Sequence, residues 1–181
     1  MNQTLTSILK TKGPQSLTIS NQSFSGETIL EEFFDSCFFH KVNFINCSFE
    51  ECEFLGIGFD FCIFEGCTFN NTTIRKSEIT DCVFQNCQFI ESCLTPKTNF
   101  FRTLFSNSQF SSVDFSSTFL SECEFIGINL NKIKLKGTSI VDPKTEKITF
   151  NELEFDKNKP IKIKFTNSLS FQNIMNIMVD K

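Results

Sequence analysis

A large apolar residue returns every five positions from Phe24 to Ile140. The series starts at Phe24 and Ile29, runs as phenylalanine from Phe34 to Phe69, continues as Ile74, Ile79, Phe84, Phe89 and Leu94, and resumes at Phe100 for nine units that end in Ile140. All 24 residues are Phe, Ile or Leu. A period of five fits neither the 3.6 of an amphipathic helix nor the 2 of an ordinary strand. It predicts a chain that turns at regular intervals and stacks on itself, each repeat burying a face it cannot bury alone.

The pattern assigns a place to each position of the unit. Two residues before the large residue stands a smaller one, most often Cys, Thr, Ser, Val or Ile, and alternation along a short extended segment turns both inward. The residue between them then faces solvent, which accounts for Ser48, Glu53, Thr68, Gln88, Asp114 and Glu124. Two residues after the centre, turn formers recur: Gly26, Asn46, Gly56, Gly66, Asn71, Asp81, Asn86, Asn107, Gly127 and Gly137. These are predicted corners, because Gly and Asn accept positive φ with little strain. Four sides per turn would place residues 20 apart above one another at about 4.8 Å. Phe24, Phe44, Phe64, Phe84, Phe105 and Phe125 then form one ladder of rings, and 24 units make about six coils, a rod on the order of 29 Å long.

With these positions assigned, the chain resembles the pentapeptide-repeat family over roughly residues 19–140. The usual family unit is Ala, Asp or Asn, Leu, then two variable residues; here the Leu place is mostly Phe and the Ala place mostly Cys, Ser, Thr or Val. The resemblance implies an all-β fold, a right-handed quadrilateral β-helix. The organisation expected is an N-terminal cap over 1–18, the repeat solenoid over 19–140, and a C-terminal cap with a dimerisation segment over 141–181. The rigid repeat, the missing catalytic set and the polar variable positions lead to the expectation of a non-catalytic scaffold for protein–protein interaction. As an alternative the resemblance implies a DNA mimic, since some family members match B-form DNA in width and charge and bind DNA gyrase or topoisomerase IV, with quinolone protection.

The period slips once, by one residue, between Leu94 and Phe100; a bulge at a corner around Pro96 would absorb it. Past Ile140 the pattern decays. Phe150 and Phe155 would continue a face, and Ile161, Ile163 and Phe165 alternate with lysines as a strand does. Phe171, Ile174, Met175 and Met178 have the spacing of a short amphipathic helix that would cover the open coil edge or, by the resemblance, join two copies.

Composition supports the pattern. Of 25 Phe, 16 are repeat centres, and Trp and Tyr are absent. Eight of nine cysteines lie two residues before a centre and read as small core residues of a reduced, cytoplasmic protein. Stacked sulfurs lie in a row and do not converge as zinc requires, so neither a metal site nor a cofactor is expected. Cys93, immediately before Leu94, should face outward as the most reactive thiol. The single histidine, His40, is expected at the surface with no nucleophile or acid beside it in sequence, and no catalytic set is recognisable. No segment approaches the roughly 20 apolar residues of a membrane span, so a soluble protein is expected.

Charge is uneven. Residues 19–131 hold 15 Asp or Glu against five Lys or Arg, whereas residues 132–181 hold six acids and ten bases. Glu31, Glu32, Asp35, Glu50, Glu51 and Glu53 gather near the corners of the first coils, with Glu31 one coil beneath Glu51. Such a surface repels nucleic acid and favours a basic protein partner.

Overall fold

The computed structural model describes residues 3–146, 149–154 and 162–164, with side chains as far as Lys144. Short parallel strands, most of three residues, stack into four sheets of eight, seven, seven and three strands. Consecutive strands belong to consecutive sheets, so the chain makes a square solenoid. We call the sheets the first to fourth faces, in the order the chain visits them from Thr18–Ser20. Six coils are complete by Thr138, and a seventh begins with Ser139–Val141.

Register follows the 20-residue rule: Phe24 pairs with Phe44, Phe44 with Phe64, and Phe64 with Phe84. The inward rings stack accordingly, with centroids 4.8 Å apart for Phe44 and Phe64, 4.5 Å for Phe64 and Phe84, and 5.3 Å for Phe105 and Phe125. Rings on adjacent faces meet edge to face, as Phe44 does with Phe49 at 5.6 Å. Both arrangements suit the ring quadrupole, so one side chain fills the interior and locks its neighbours' rotamers.

The smaller inward residues are buried too, and their polar atoms are satisfied by the backbone. Cys67 Sγ donates to the carbonyls of Phe44 and Glu65; Ser108, two coils further along the same column, donates to Phe84 and Ser106. A thiol and a hydroxyl can therefore share this slot, because every coil offers the same two carbonyls.

Every corner has positive φ, between 46° and 69°, whatever the residue: Gly66, Asn46, Glu31, Lys41, Phe61 and Arg102 all adopt it. The corner N–H donates to a carbonyl of the next coil, as Glu31 does to Glu50 at 2.9 Å. That bond holds the left-handed conformation where an L side chain alone would avoid it.

The extra residue between Leu94 and Phe100 is absorbed at a fourth-face corner, and stacking resumes with Ile79 opposite Phe100. The fourth face itself thins. Its full strands end with Thr73–Arg75, and single bridges link Cys93, Asp114 and Lys134 above them.

An α-helix, α1 (Leu5–Lys12), closes the first coil with Leu5, Ile8 and Leu9 buried. Thr4 caps its N-terminus, and Gly13 ends it at φ 74°. Glu27 occupies a small-residue slot of the first coil, and its carboxylate accepts from the Leu5 and Thr6 N–H groups at 2.9 Å each and from Thr6 Oγ1 at 2.8 Å. An acid stands in an inward slot here because the slot opens onto a helix N-terminus. Sequence reading placed a cap over 1–18 without seeing this helix.

At the other end, strands continue past Ile140. Leu130 pairs with Phe150 and Ile140 with Ile163, so the alternation around Ile163 is a strand that continues the first face. The helix expected at Phe171, Ile174, Met175 and Met178 lies outside the described residues.

Candidate functional site

The fold leaves outward side chains on four faces and four edges as the places where chemistry can differ between coils. The edge between the third and fourth faces carries Glu31, Glu51, Asn71, Glu91, Ser112 and Lys132 in successive coils. Glu31 and Glu51 stand one above the other, exposed, both with φ 54°, and neither side chain has a hydrogen bond or ion pair among the described residues.

The other expected acids surround this edge but differ in state. Glu50, on the third face opposite Leu30 of the coil below, accepts from Ser48 Oγ at 2.9 Å. Asp35, on the fourth face, accepts from Ser36 Oγ at 2.9 Å. Glu32 is half-buried in a first-coil slot, and Glu53 is paired with the Arg75 guanidinium in the next coil. Glu53 therefore contributes less free negative charge than the other acids of the cluster. Leu30 and Phe33, exposed by 54% and 38%, flank the Glu31 corner. The result is a pair of unpartnered carboxylates with apolar neighbours, a surface suited to a segment that carries both cationic and apolar side chains.

His40 has a partner that sequence did not reveal. Its Nδ1 lies 2.8 Å from Asp60 Oδ2, in the next coil of the first face. Phe38 stacks on its imidazole at 6.3 Å, and Phe61 meets it edge-on at 6.1 Å. Phe38 also covers Gly58, where a Cβ would come within 2.7 Å of the ring. Ser20 is the backbone partner of His40 in the coil below, but it makes no hydrogen bond to the imidazole. Serine, histidine and aspartate thus share a column without forming a proton relay. The neighbouring hollow is open and polar, lined by Asn21, Gln22, Ser23, Lys41 and Asn43.

The core cysteines differ in state: hydrogen bonds from the stacked thiols of Cys82 and Cys67 lower the pKa of Cys62 and Cys87. Burial pushes the Cys52 thiol up to about 11 and Cys123 up to about 12. Cys93 is the most accessible of the nine, yet burial and the charge of Asp114 raise its pKa as well, so it is a poorer nucleophile than its outward position suggested. Among the described residues no three or more His, Cys, Asp or Glu side chains gather to hold a metal ion, and no helix is long and apolar enough to cross a membrane.

Comparison with known proteins agrees with the period. Residues 98–139 match the family described as pentapeptide repeats, as eight copies. No curated protein matches the chain. Among solved structures, it is similar to full-length QnrB1, a plasmid-mediated fluoroquinolone resistance protein, at 14% identity over 87% of this chain and 99% of that one, with a TM-score of 0.39. HetL, a pentapeptide repeat protein involved in heterocyst differentiation regulation in the cyanobacterium Nostoc, matches at 10% identity over 84% of this chain and 95% of that one, with a TM-score of 0.29. Rfr23, a pentapeptide repeat protein of the cyanobacterium Cyanothece, matches at 10% identity over 86% and 94% of the two chains, with a TM-score of 0.27.

Proposed function

Since this chain is a pentapeptide-repeat protein, we propose that it serves as a non-catalytic scaffold that binds a basic protein through the edge between its third and fourth faces. The observation that carries this reading is the pair Glu31 and Glu51, two carboxylates without a partner among the described residues, on left-handed corners beside exposed Leu30 and Phe33. Glu32, Asp35 and Glu50 add negative potential around them, and Glu53 does so only if its pairing with Arg75 is broken. Affinity capture from the source cell, with wild-type protein and with Glu31→Lys/Glu51→Lys, tests it. The expected result is a basic protein retained by the wild type, released by salt and lost with the reversed charges. Equal retention by both would overturn the reading.

A second reading rests on the acidic body of the rod, which carries 15 acids against five bases over residues 19–131. A stiff acidic rod can stand in for B-form DNA on a type II topoisomerase, DNA gyrase or topoisomerase IV, and so give quinolone protection. Supercoiling by the cognate gyrase, assayed with and without a fluoroquinolone, should then change at micromolar protein. An unchanged rate under both conditions would remove this reading.

A further inference from the structure

The second face differs from the other three in what it turns outward. On its strands the residue before each inward centre is, from coil to coil, Ser23, Asn43, Ile63, Val83, Leu104 and Glu124, and the register stacks Ile63, Val83 and Leu104 as an aliphatic ladder. The residue after each centre adds Ile45 and Ile126, and Ile63 is 41% exposed. One border of this face is the corner series Lys41, Phe61, Asp81, Arg102 and Glu122. The other is Gly26, Asn46, Gly66, Asn86, Asn107 and Gly127, small and uncharged, over which a neighbouring body can approach closely.

We propose that this face binds a second copy of the chain, with the two rods antiparallel about a two-fold axis through the coil of Val83. The argument is self-complementarity. An axis in the interface plane, perpendicular to the rods at that coil, sets each coil below Val83 against the coil an equal distance above it in the other copy. Ile63 then meets Leu104, Val83 meets itself, and Ile45 meets Ile126. Along the border, Lys41 meets Glu122, and the Arg102 guanidinium meets the Phe61 ring. Among the described residues neither Lys41 nor Glu122 takes part in an ion pair, although Glu122 also feels the charges of Arg102 and Lys144. Asp81 meets its own copy on the axis, but its carboxylate is already held by Arg102 through two bonds of 2.7 Å.

Other arrangements lose this match. An axis along the rods would set Ile63 against Glu65 and Leu104 against Ser106 of the same coil, which buries polar groups on aliphatic ones. An antiparallel pairing of first faces about the coil of Glu78 sets Glu78 and the corner Lys76 each against its own copy, and the third face has few aliphatic side chains to drive association. The small area limits the affinity. Seven strands at about 4.8 Å span about 29 Å, and a three-residue strand spans about 10 Å, a footprint below the roughly 800 Å² per partner of a standard interface. Association through this face alone is therefore weak and transient.

Sedimentation velocity of the full chain from roughly 1 to 300 μM tests this. The wild type should pass from monomer to dimer, and Ile63→Lys, an exposed change that leaves the core intact, should weaken association at least about tenfold. Lys41→Glu and Glu122→Lys should each weaken it, and the double variant should regain most of the loss, because the swapped charges meet again only across the antiparallel axis. A monomer at every concentration overturns the proposal. So does a dimer indifferent to Ile63→Lys, as one joined through the C-terminal segment would be, or a double variant no tighter than its singles.

Discussion

Two edges of the same solenoid have the same backbone and opposite chemistry. Between the second and third faces the corners are Gly26, Asn46, Gly66, Asn86, Asn107 and Gly127; between the third and fourth they begin with Glu31, Glu51, Asn71 and Glu91. Gly66 has φ 63° and Glu51 φ 54°, and both corners donate their N–H to the next coil at 2.9 Å. The first edge shows what the backbone prefers when nothing else is asked of it, since Gly and Asn carry the smallest penalty at positive φ. Glutamate on the second edge runs against that preference by about 1 kcal/mol per residue. A surface that repeatedly accepts such a penalty is a candidate for binding, whereas the residue types of the Gly and Asn edge need no cause beyond the backbone conformation.

The contrast predicts effects of opposite sign for substitutions at equivalent corners. Among corner substitutions the largest effect should come from Gly66→Ala, because an added Cβ would lie 2.3 Å from Asn46 Oδ1 at a positive-φ corner. Equilibrium denaturation should show a loss of about 2 kcal/mol. Next comes Glu27→Ala, which removes the carboxylate from the N-terminus of α1 and should lower stability by about 1 to 2 kcal/mol, with faster amide exchange confined to Leu5–Lys12. An unchanged exchange pattern would show that α1 is held by its apolar contacts alone.

Smaller still is Cys67→Ser, which keeps both backbone carbonyl partners in the column and should lose less than about 1 kcal/mol; Phe64→Ala, one residue type over on the same rung, would lose about 3 to 5 kcal/mol. The slightest effect is a pH dependence. Arg102 holds the Asp81 carboxyl below its usual range, so this pair's contribution is complete above the unfolded carboxylate pKa and is lost as pH falls through the lower folded value. Asp81→Asn should flatten the acid limb of the stability profile slightly, and an identical limb would mean that the pair contributes nothing in solution.

The interior was legible in the sequence because one side chain in five had to fill a repeating space, and the ladder from Phe24 to Phe125 stands where the period put it. Corners were legible by position more than by type. Nothing in Glu31 or Phe61 signals a turn, and only the period sets them at one.

What stayed hidden joins residues one coil apart. His40 with Asp60 is separated by 20 residues, Glu53 with Arg75 by 22 and Asp81 with Arg102 by 21, the last step including the extra residue before Phe100. Applying the 20-residue rule to charged positions would have found His40 with Asp60 and, allowing for the slip, Asp81 with Arg102, but not Glu53 with Arg75, because the register sets Glu53 opposite Thr73. Helix α1 left a readable signal in Thr4, Leu5, Ile8, Leu9 and Gly13, but the role of Glu27 depends on a chain segment more than 20 residues away.

The difference between the two edges is tested most directly by Glu31→Asn/Glu51→Asn, measured on one preparation for stability and for retention of the captured protein. Stability should rise by about 1 to 2 kcal/mol, because Asn tolerates both corners better, while retention is lost. A variant that is no more stable, or one that still retains the partner, would contradict the assignment of this edge to binding.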